Sequence, residues 1–302
     1  MKRKLIVSFS GGETSAFMSQ WLWQHKSQEY EMQFVFANTG EEREETLEFI
    51  QQCSDYFGFP VTWIECEPES KTKYTIVDFF TASRRGEPFE KVIRKYGIPN
   101  IALPHCSREL KEVPITAFSK KIFRKHYSTA IGIRSDEVDR ISPYAQKKKL
   151  IYPLISGGFH PGVNKVEVNL FWSKMPFRLR LKGYEGNCKW CWKKSLKKLL
   201  RIAKDDPAAF NFPLRMEKQF GNYIPPNRVS LLQQKGKSIA LPITFFRNHI
   251  SAEEILLSAR SANPIIRDDN RIYTQQTTIP FIDFGDTDFV GGDSCEIFSD
   301  CR

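Results

Sequence analysis

The sequence predicts an α/β protein whose doubly wound, mostly parallel sheet is followed by a helical and irregular C-terminal region. Apolar runs of strand length alternate with helical patterns over the first 66 residues. Each of the first two apolar runs ends in a turn of small and polar residues. Alternating strands and helices build a parallel sheet, and ligands bind beyond the carboxyl ends of its strands. The two turns are therefore the first places to look for a binding site.

The individual elements follow from the spacing of apolar residues. In the first part of the chain the predicted elements are a strand at 5–7, a helix at 13–25, a strand at 32–37, an acidic helix starting at 41 and a strand at 61–66. Further on they are a strand or short helix at 75–80, a helix at 111–126, strands at 128–133 and 150–155, and helices at 166–172, 193–204 and 252–259. The patterns are weaker at 67–105 and beyond 207.

The composition is that of a basic protein with ordinary hydrophobicity. Its 302 residues carry a formal net charge of +10, and the sequence pI is about 9.2. Such an excess favours polyanionic partners such as nucleic acids, nucleotides and other phosphorylated or sulfated molecules. No apolar run approaches the roughly 20 residues of a membrane span, and the start of the chain lacks the features of a signal peptide. We therefore expect no membrane partner, and residence in the cytoplasm.

The stretch around the first turn has the composition of a phosphate-binding loop. A glycine turn at the start of a helix leaves backbone N–H groups available to an anion, and small residues let the anion come close. The loop is not a Walker P-loop, because no lysine follows its second glycine. The residues predicted to hold phosphate groups are Ser8, Ser10, Gly11, Gly12, Thr14 and Ser15.

This loop resembles the S-G-G-x-x-S signature of the PP-loop superfamily, and three later segments resemble its phosphoadenosine phosphosulfate (PAPS) reductase-like branch. Residues 34–46 are similar to V-F-x-D-T-G-x-x-x-x-E-T, with Asn38 in place of the aspartate. Residues 106–114 are similar to C-T-x-x-L-K-x-x-P, and residues 132–140 to G-x-R-x-D-E-x-x-R; Pro153-Leu154-Ile155 matches the P-L-I that follows. We therefore place a PP-loop nucleotide-binding domain at 1–160, and a C-terminal helical region with a Cys-x-x-Cys motif and a cysteine-bearing tail at 161–302.

The resemblance implies roles for particular residues. The adenosine is expected near Asn38, Thr39 and Gly40. The basic side chains of Arg108, Lys111 and Arg134 are expected to neutralise phosphate oxygens during catalysis, with Arg140 as a further candidate. Asp136, or its neighbour Glu137, could hold Mg²⁺ or orient a basic residue.

The seven cysteines include one Cys-x-x-Cys motif, Cys188 to Cys191. Such a motif can be half of a zinc site, part of an iron–sulfur site or a redox pair. The resemblance implies a [4Fe–4S] cluster held by Cys106, Cys188 and Cys191, with Zn²⁺ as the alternative. The fourth ligand would be Cys295, Cys301 or an exogenous group, with His105 as a lesser candidate. Cys53 and Cys66 are expected in the core.

Residues 174–204 form a basic stretch with eleven lysines and arginines against one acid, Glu185. Aromatic residues lie in or next to it, among them Trp172, Phe177, Trp190 and Trp192. Basic residues interleaved with aromatics suit phosphate contact and base stacking, so a nucleic acid such as tRNA or DNA could bind here. The alternative is a solvated helix face whose aromatics belong to the core.

The resemblance, taken with these features, implies an enzyme that binds ATP with Mg²⁺, cleaves it between the α and β phosphates and adenylates a substrate. The outcome would be sulfur transfer or another modification of nucleic acid, with a sulfur donor protein as a further partner. One alternative is a sulfonucleotide reductase that releases sulfite, although the E-C-G-x-H motif of true PAPS reductases is absent from the sequence. A second alternative is a non-catalytic nucleic-acid-binding protein stabilised by zinc.

Overall fold

The fold is a six-stranded sheet with helices on its faces and a helical C-terminal region. The computed structural model describes residues 2–155, 162–186, 188–226, 228–230 and 240–266. The strands are β1 (Arg3–Ser8), β2 (Tyr30–Asn38), β3 (Val61–Cys66), β4 (Tyr74–Val77), β5 (Ser128–Ala130) and β6 (Leu150–Ile151), in the spatial order β4-β3-β2-β1-β5-β6. Only the β3–β4 pairing is antiparallel. The predicted α/β class with a mostly parallel sheet is confirmed.

The helices are α1 (Glu13–Lys26), α2 (Glu44–Phe57), α3 (Glu87–Tyr96), α4 (Val113–Phe123), α5 (Ala145–Lys148), α6 (Lys165–Ser173), α7 (Leu196–Asp205), α8 (Asn211–Phe220) and α9 (Ala252–Ser261). Short 3₁₀ segments lie at Ser135–Arg140, Pro207–Phe210 and Arg247–His249. A π-helical turn covers Arg108–Glu112 and runs directly into α4.

The order of the strands places a crevice beside β1. The chain winds outward from β1 through β2 to β3, and then returns to place β5 on the other side of β1. Ligands of such sheets bind where the winding direction changes, beyond the carboxyl ends of the two strands concerned. Here those ends lead into the glycine turn after β1 and into residues 131–134 after β5. The last four residues of β1 and the last five of β2 are buried, so both strands lead into the crevice from the core.

The structure also differs from the predicted elements in identifiable places. The helices α3 and α8 were not predicted as elements of their own. The helix predicted at 111–126 is instead a π turn followed by α4, because Pro114 has no N–H to continue an α-helical ladder; Val113 N–H bonds to the carbonyl of Arg108, five residues back. The strands predicted at 128–133 and 150–155 are shortened to three and two residues.

The C-terminal region packs directly against the sheet domain. Val163, Val168 and Trp172 share a core with residues of β1, β2 and α2. A second core joins α3 to α7, α8 and α9 and contains both Trp190 and Trp192. The domain boundary at residue 160 stays a prediction, but residues on both sides of it bury one another. In the described residues, no helix is both long enough and apolar enough to cross a membrane.

Candidate functional site

The glycine turn after β1 forms a tight loop at the N-terminus of α1. Ser15 Oγ accepts bonds from the backbone N–H and from the hydroxyl of Ser10, at 3.2 and 3.0 Å, and its own hydroxyl donates to the Gly12 carbonyl at 2.9 Å. Gly12, the N-cap residue of α1, has no side chain with which to cap the first turn. Ser8, directly below the loop, is fully buried, and its hydroxyl finds no partner among the described residues. The loop is thus held closed while the helix N-terminus stays available to an anion.

The two glycines of the loop, Gly11 and Gly12, differ in backbone conformation and in the space around them. Gly11 has φ +82°, and a Cβ there would lie 2.6 Å from Thr46 Cγ2 and 2.9 Å from Ile50 Cδ1. Gly12 has the ordinary values φ −90° and ψ 157°, and a Cβ there would meet only Ser10 Oγ, at 3.9 Å. The fold therefore requires glycine at position 11 but not at position 12. A side chain at Gly12 would occupy the open space in front of the helix N-terminus.

Arg134, which follows β5, reaches this loop. Its Nη1 donates to Thr14 Oγ1 at 3.2 Å, and its Nε and Nη2 donate to the two oxygens of Asp136 at 2.9 and 3.0 Å. Burial pushes the pKa of the Asp136 carboxyl upward, but the guanidinium of Arg134 outweighs it and the net shift is downward. Glu137 bonds to the neighbouring Arg140 at 2.6 Å. The structure thus brings Arg134 and Asp136 to the predicted phosphate loop.

The predicted adenosine residues lie in a densely bonded turn after β2. Asn38 is fully buried, and its amide donates to Glu65 Oε1 at 2.6 Å and to the Ser83 carbonyl at 2.8 Å. Thr39 is fully buried as well, and both its N–H and its hydroxyl bond to the Glu42 carboxylate. The role of this turn in holding adenosine stays a prediction. The contacts observed show these side chains shaping the turn.

Lys111 and Arg108, in the π turn, have very different surroundings. Lys111 is buried, and its Nζ lies 3.8 Å from Glu42 Oε1 at the carboxyl end of β2. Arg108 points outward, with 66% of its side chain exposed, and pairs with Glu109. The four predicted catalytic residues therefore fall into two groups: Arg134 and Asp136 at the loop, and Lys111 near β2 with Arg108 at the surface beside it.

The three predicted metal-binding cysteines of the described chain line one cavity of about 30 Å³, together with Thr39 and Lys111. In the described part of the chain, Cys106, Cys188 and Cys191 form no disulfide, and Cys188 Sγ lies 3.7 Å from Thr39 Oγ1. Burial raises the pKa of the Cys188 thiol well above its usual range, and Glu42 adds to the effect. Residues more than 80 positions apart thus line one cavity, while their role as metal ligands stays a prediction.

In the described residues, no group of three or more His, Cys, Asp or Glu is arranged so that it could hold a metal ion. Cys295 and Cys301, the predicted fourth ligands, lie outside the described residues. His105 lies beside Cys106, but its pKa is lowered to about 4 by burial, and its Nε2 has no partner in the described part of the chain. The donor set itself, three thiols facing one cavity, is the chemistry that iron–sulfur clusters and zinc prefer.

Two buried carboxylates that the sequence did not single out organise this site. Glu41 accepts a bond of 2.6 Å from the indole of Trp190, and burial raises the pKa of its carboxyl to about 7. Glu13, in the loop itself, forms a two-pronged ion pair of 2.9 and 3.0 Å with Arg178. The sequence signal was the run of acids at 41–42 next to the turn. It could not be told apart from an ordinary acidic helix start.

The basic stretch at 174–204 needs a correction. Trp172, Trp190 and Trp192 are at most 4% exposed, so they belong to the core and are not available to stack on bases. Several of its cations are also engaged within the protein: Arg178 with Glu13, Arg180 with Glu48, and Lys182 and Arg201 with Asp205. Lys194 is buried and donates to the Cys188 carbonyl, and Lys204 donates to the Ala262 carbonyl.

Comparison with known proteins agrees with the geometry of the loop. Residues 4–139 match the phosphoadenosine phosphosulfate reductase domain. The chain is similar to an uncharacterized nin-region protein of Escherichia phage lambda, with 31% identity over 209 residues, 67% of this chain and 70% of that protein. It is also similar to an uncharacterized protein of Methanocaldococcus jannaschii, with 25% identity over 215 residues, 68% of this chain and 40% of that protein.

Proposed function

The chain belongs to the phosphoadenosine phosphosulfate reductase family of the PP-loop superfamily, and from this premise we propose that it uses ATP to adenylate a substrate. A nucleophilic oxygen of the substrate would form a bond to the α-phosphorus while the bond between that phosphorus and the α–β bridging oxygen breaks. Pyrophosphate leaves with the electron pair, and the substrate carries AMP. A sulfur nucleophile could then displace AMP, so that the net result is sulfur transfer, with nucleic acid as the proposed acceptor.

The open space at Gly12 is the observation that carries this proposal. The fold gives no reason for glycine there, yet a side chain would fill the region in front of an uncapped helix N-terminus. Backbone N–H groups at such a terminus stabilise phosphate charge without a lysine. The Ser10–Ser15 bonds keep the loop narrow. An adenine nucleotide with its phosphates against residues 10–15 accounts for each of these features.

Arg134 supplies the positive charge that the loop lacks. It is fixed on one side by Thr14 and on the other by both oxygens of Asp136. Because these oxygens are already engaged, we assign Asp136 to orienting the guanidinium. Mg²⁺ would enter bound to ATP and add to the neutralisation of the leaving pyrophosphate. Catalysis then comes from positioning and charge stabilisation at the α-phosphate.

We further propose that Cys106, Cys188 and Cys191 hold a thiophilic metal, a [4Fe–4S] cluster in first place and Zn²⁺ in second. The three cysteines line one cavity, and two of them are only three residues apart in the sequence, which supports this assignment. A cluster would supply a soft site for sulfur, and zinc would supply a structural link. Lys111 and Thr39 share the cavity and would orient the group that binds there.

The test is to measure which product the purified protein forms. Adenylation predicts pyrophosphate from ATP, with turnover that depends on added tRNA, DNA or a sulfur donor. Release of sulfite from PAPS with a thiol reductant, and none of pyrophosphate from ATP, would instead show a sulfonucleotide reductase. Nucleotide binding with no product in either assay would contradict both enzymatic readings.

A further inference from the structure

A second concave surface lies at the opposite edge of the sheet from the nucleotide loop. It has a volume of about 560 Å³ and is lined by six cations, Lys120, Arg124, Lys125, Lys147, Lys148 and Lys149. We call it the basic cleft. The aromatic ring of Tyr127 completes its lining.

The topology explains why these residues meet. The first three cations follow one another at the C-terminal end of α4, and the other three at the C-terminal end of α5. Each helix end leads into the amino end of a strand, β5 or β6, and these strands pair in parallel. The backbone N–H of Thr129 bonds to the carbonyl of Lys149 at 2.9 Å, which holds the two ends together. The phosphate loop follows the carboxyl end of β1, so the basic cleft and the loop lie at opposite edges of the sheet.

Among the residues that the structure describes, little negative charge balances the basic cleft. Within the described residues, the ion pair recorded for its cations is that of Lys148 with Glu112, at 3.1 Å. Lys149 Nζ donates to the carbonyl of Lys125 at 3.3 Å, a neutral partner. The unsatisfied backbone carbonyls at the C-terminal ends of α4 and α5 offset part of the charge. That effect accounts for cations near each helix end but not for six of them lining one concave space.

We propose that the basic cleft binds the phosphodiester backbone of a nucleic acid. Several cations along one groove match a chain of phosphates, each carrying one charge, better than a single small anion. Tyr127 is half-buried at the wall and offers a ring on which a base can stack. A membrane surface fits less well, because the lining is concave and contains no aliphatic residue to insert between lipids. The binding does not depend on adenylation at the loop.

The experiment uses the full chain and a fluorescently labelled single-stranded oligonucleotide of about 20 nucleotides, with fluorescence anisotropy as the readout. The test variant is Lys125→Ala/Lys147→Ala. The matched control is Lys71→Ala/Lys218→Ala, which removes the same charge from two exposed lysines outside the basic cleft. Affinity is measured between about 50 and 200 mM salt. ATP binding and pyrophosphate release are followed in parallel for all three proteins.

We expect the test variant to bind about tenfold more weakly and to lose about 1.4 from the slope of log affinity against log salt, at roughly 0.7 per phosphate contact. The control variant should keep the native slope. Equal slopes in both variants, no binding by the native chain, or binding of anionic vesicles in place of oligonucleotide would each overturn the proposal. If the test variant binds ATP as the native chain does, a change in oligonucleotide binding comes from the basic cleft and not from the nucleotide loop.

Discussion

The indole N–H of Trp190 donates a 2.6 Å hydrogen bond to the buried carboxylate of Glu41. Glu41 stands at the turn after β2, and Trp190 stands inside the Cys-x-x-Cys motif. A backbone bond of 2.9 Å from Lys189 to the Glu41 carbonyl strengthens the same link. The cysteines thus reach the carboxyl edge of the sheet because one buried acid holds the segment between them.

Glu41→Gln should make the free energy of unfolding depend less on pH. Burial raises the pKa of Glu41 from 4.5 to about 7, so between these values the folded state binds more protons than the unfolded state. Native stability must therefore fall as the pH rises through this window, by about 3 kcal/mol at most from this group. Glutamine keeps an oxygen for Trp190 but has no charge to bury. Urea unfolding at about pH 5 and about pH 8 measures the difference.

The control for this prediction is Glu253→Gln, which removes an exposed carboxylate from α9. Glu217 is a positive comparison, because burial raises its pKa to about 7 as well while it accepts bonds from the N–H groups of Phe245 and Ala252. The loss of stability between about pH 5 and about pH 8 should be smaller in Glu41→Gln and in Glu217→Gln than in the native protein. It should be unchanged in Glu253→Gln. If the free energy of unfolding depends on pH in the same way in the native protein and in Glu41→Gln, ionisation of the buried Glu41 carboxyl does not destabilise the fold.

Gly12→Asp should strongly weaken nucleotide binding and leave the fold intact. Position 12 is the N-cap of α1, where aspartate is a favoured residue, so stability should stay within about 0.5 kcal/mol of the native value or rise slightly. The same carboxylate would stand where the phosphates are proposed to bind, and ATP affinity should fall about 100-fold. Isothermal titration calorimetry and thermal unfolding measure the two effects.

Two further variants separate charge from volume. Gly12→Asn has nearly the same size and capping ability without the charge, so it should bind ATP better than Gly12→Asp. Gly11→Ala should instead destabilise the protein by about 1–3 kcal/mol, because of its positive φ and the contact with Thr46. Full ATP affinity in Gly12→Asp would contradict the proposed position of the phosphates.

The loop could be predicted from sequence because all its determinants are local. Strand, glycine turn and helix start follow one another within twelve residues, and each leaves a signal in residue type and spacing. The contacts that position the loop are not local. Arg178 reaches Glu13 across 165 positions, and Arg134 reaches Thr14 across 120. Single-sequence patterns do not encode which arginine pairs with which acid.

The cysteines and the basic residues differ in how far the sequence indicated which of them lie together in the fold. The family resemblance grouped Cys106 with the Cys-x-x-Cys motif before their distance was known, because the motif alone does not indicate which other residue joins it. Lysines are common on every surface, so the cations at 120–125 and 147–149 gave no sign that they share one cleft. The tryptophans near residue 190 wrongly suggested base stacking, because the sequence pattern of an aromatic residue beside lysines is the same whether the aromatic is buried or exposed.

Arg134→Lys should lower kcat/KM for pyrophosphate release by about 10–100-fold with little loss of stability. Lysine keeps the charge but cannot bond to Thr14 and to both oxygens of Asp136 at once. Arg180→Lys is the matched control, because Arg180 forms an exposed ion pair with Glu48. Steady-state kinetics on both variants measures the effect. If kcat/KM is the same in Arg134→Lys and in the native protein, Arg134 takes no part in the reaction.

Replacement of Cys188 by alanine should reduce the metal content of the anaerobically purified protein, because the thiol lines the same cavity as Cys106 and Cys191. A [4Fe–4S] cluster predicts about four irons per chain and a brown colour in the native protein, and zinc predicts about one metal ion without colour. Cys53→Ala is the control: Cys53 lies on the buried face of α2 within the core, so its loss should cost some stability and no metal. Metal analysis with absorption spectroscopy distinguishes these cases. A native protein free of iron and zinc, or equal metal content in both variants, would show that the three thiols do not form a metal site.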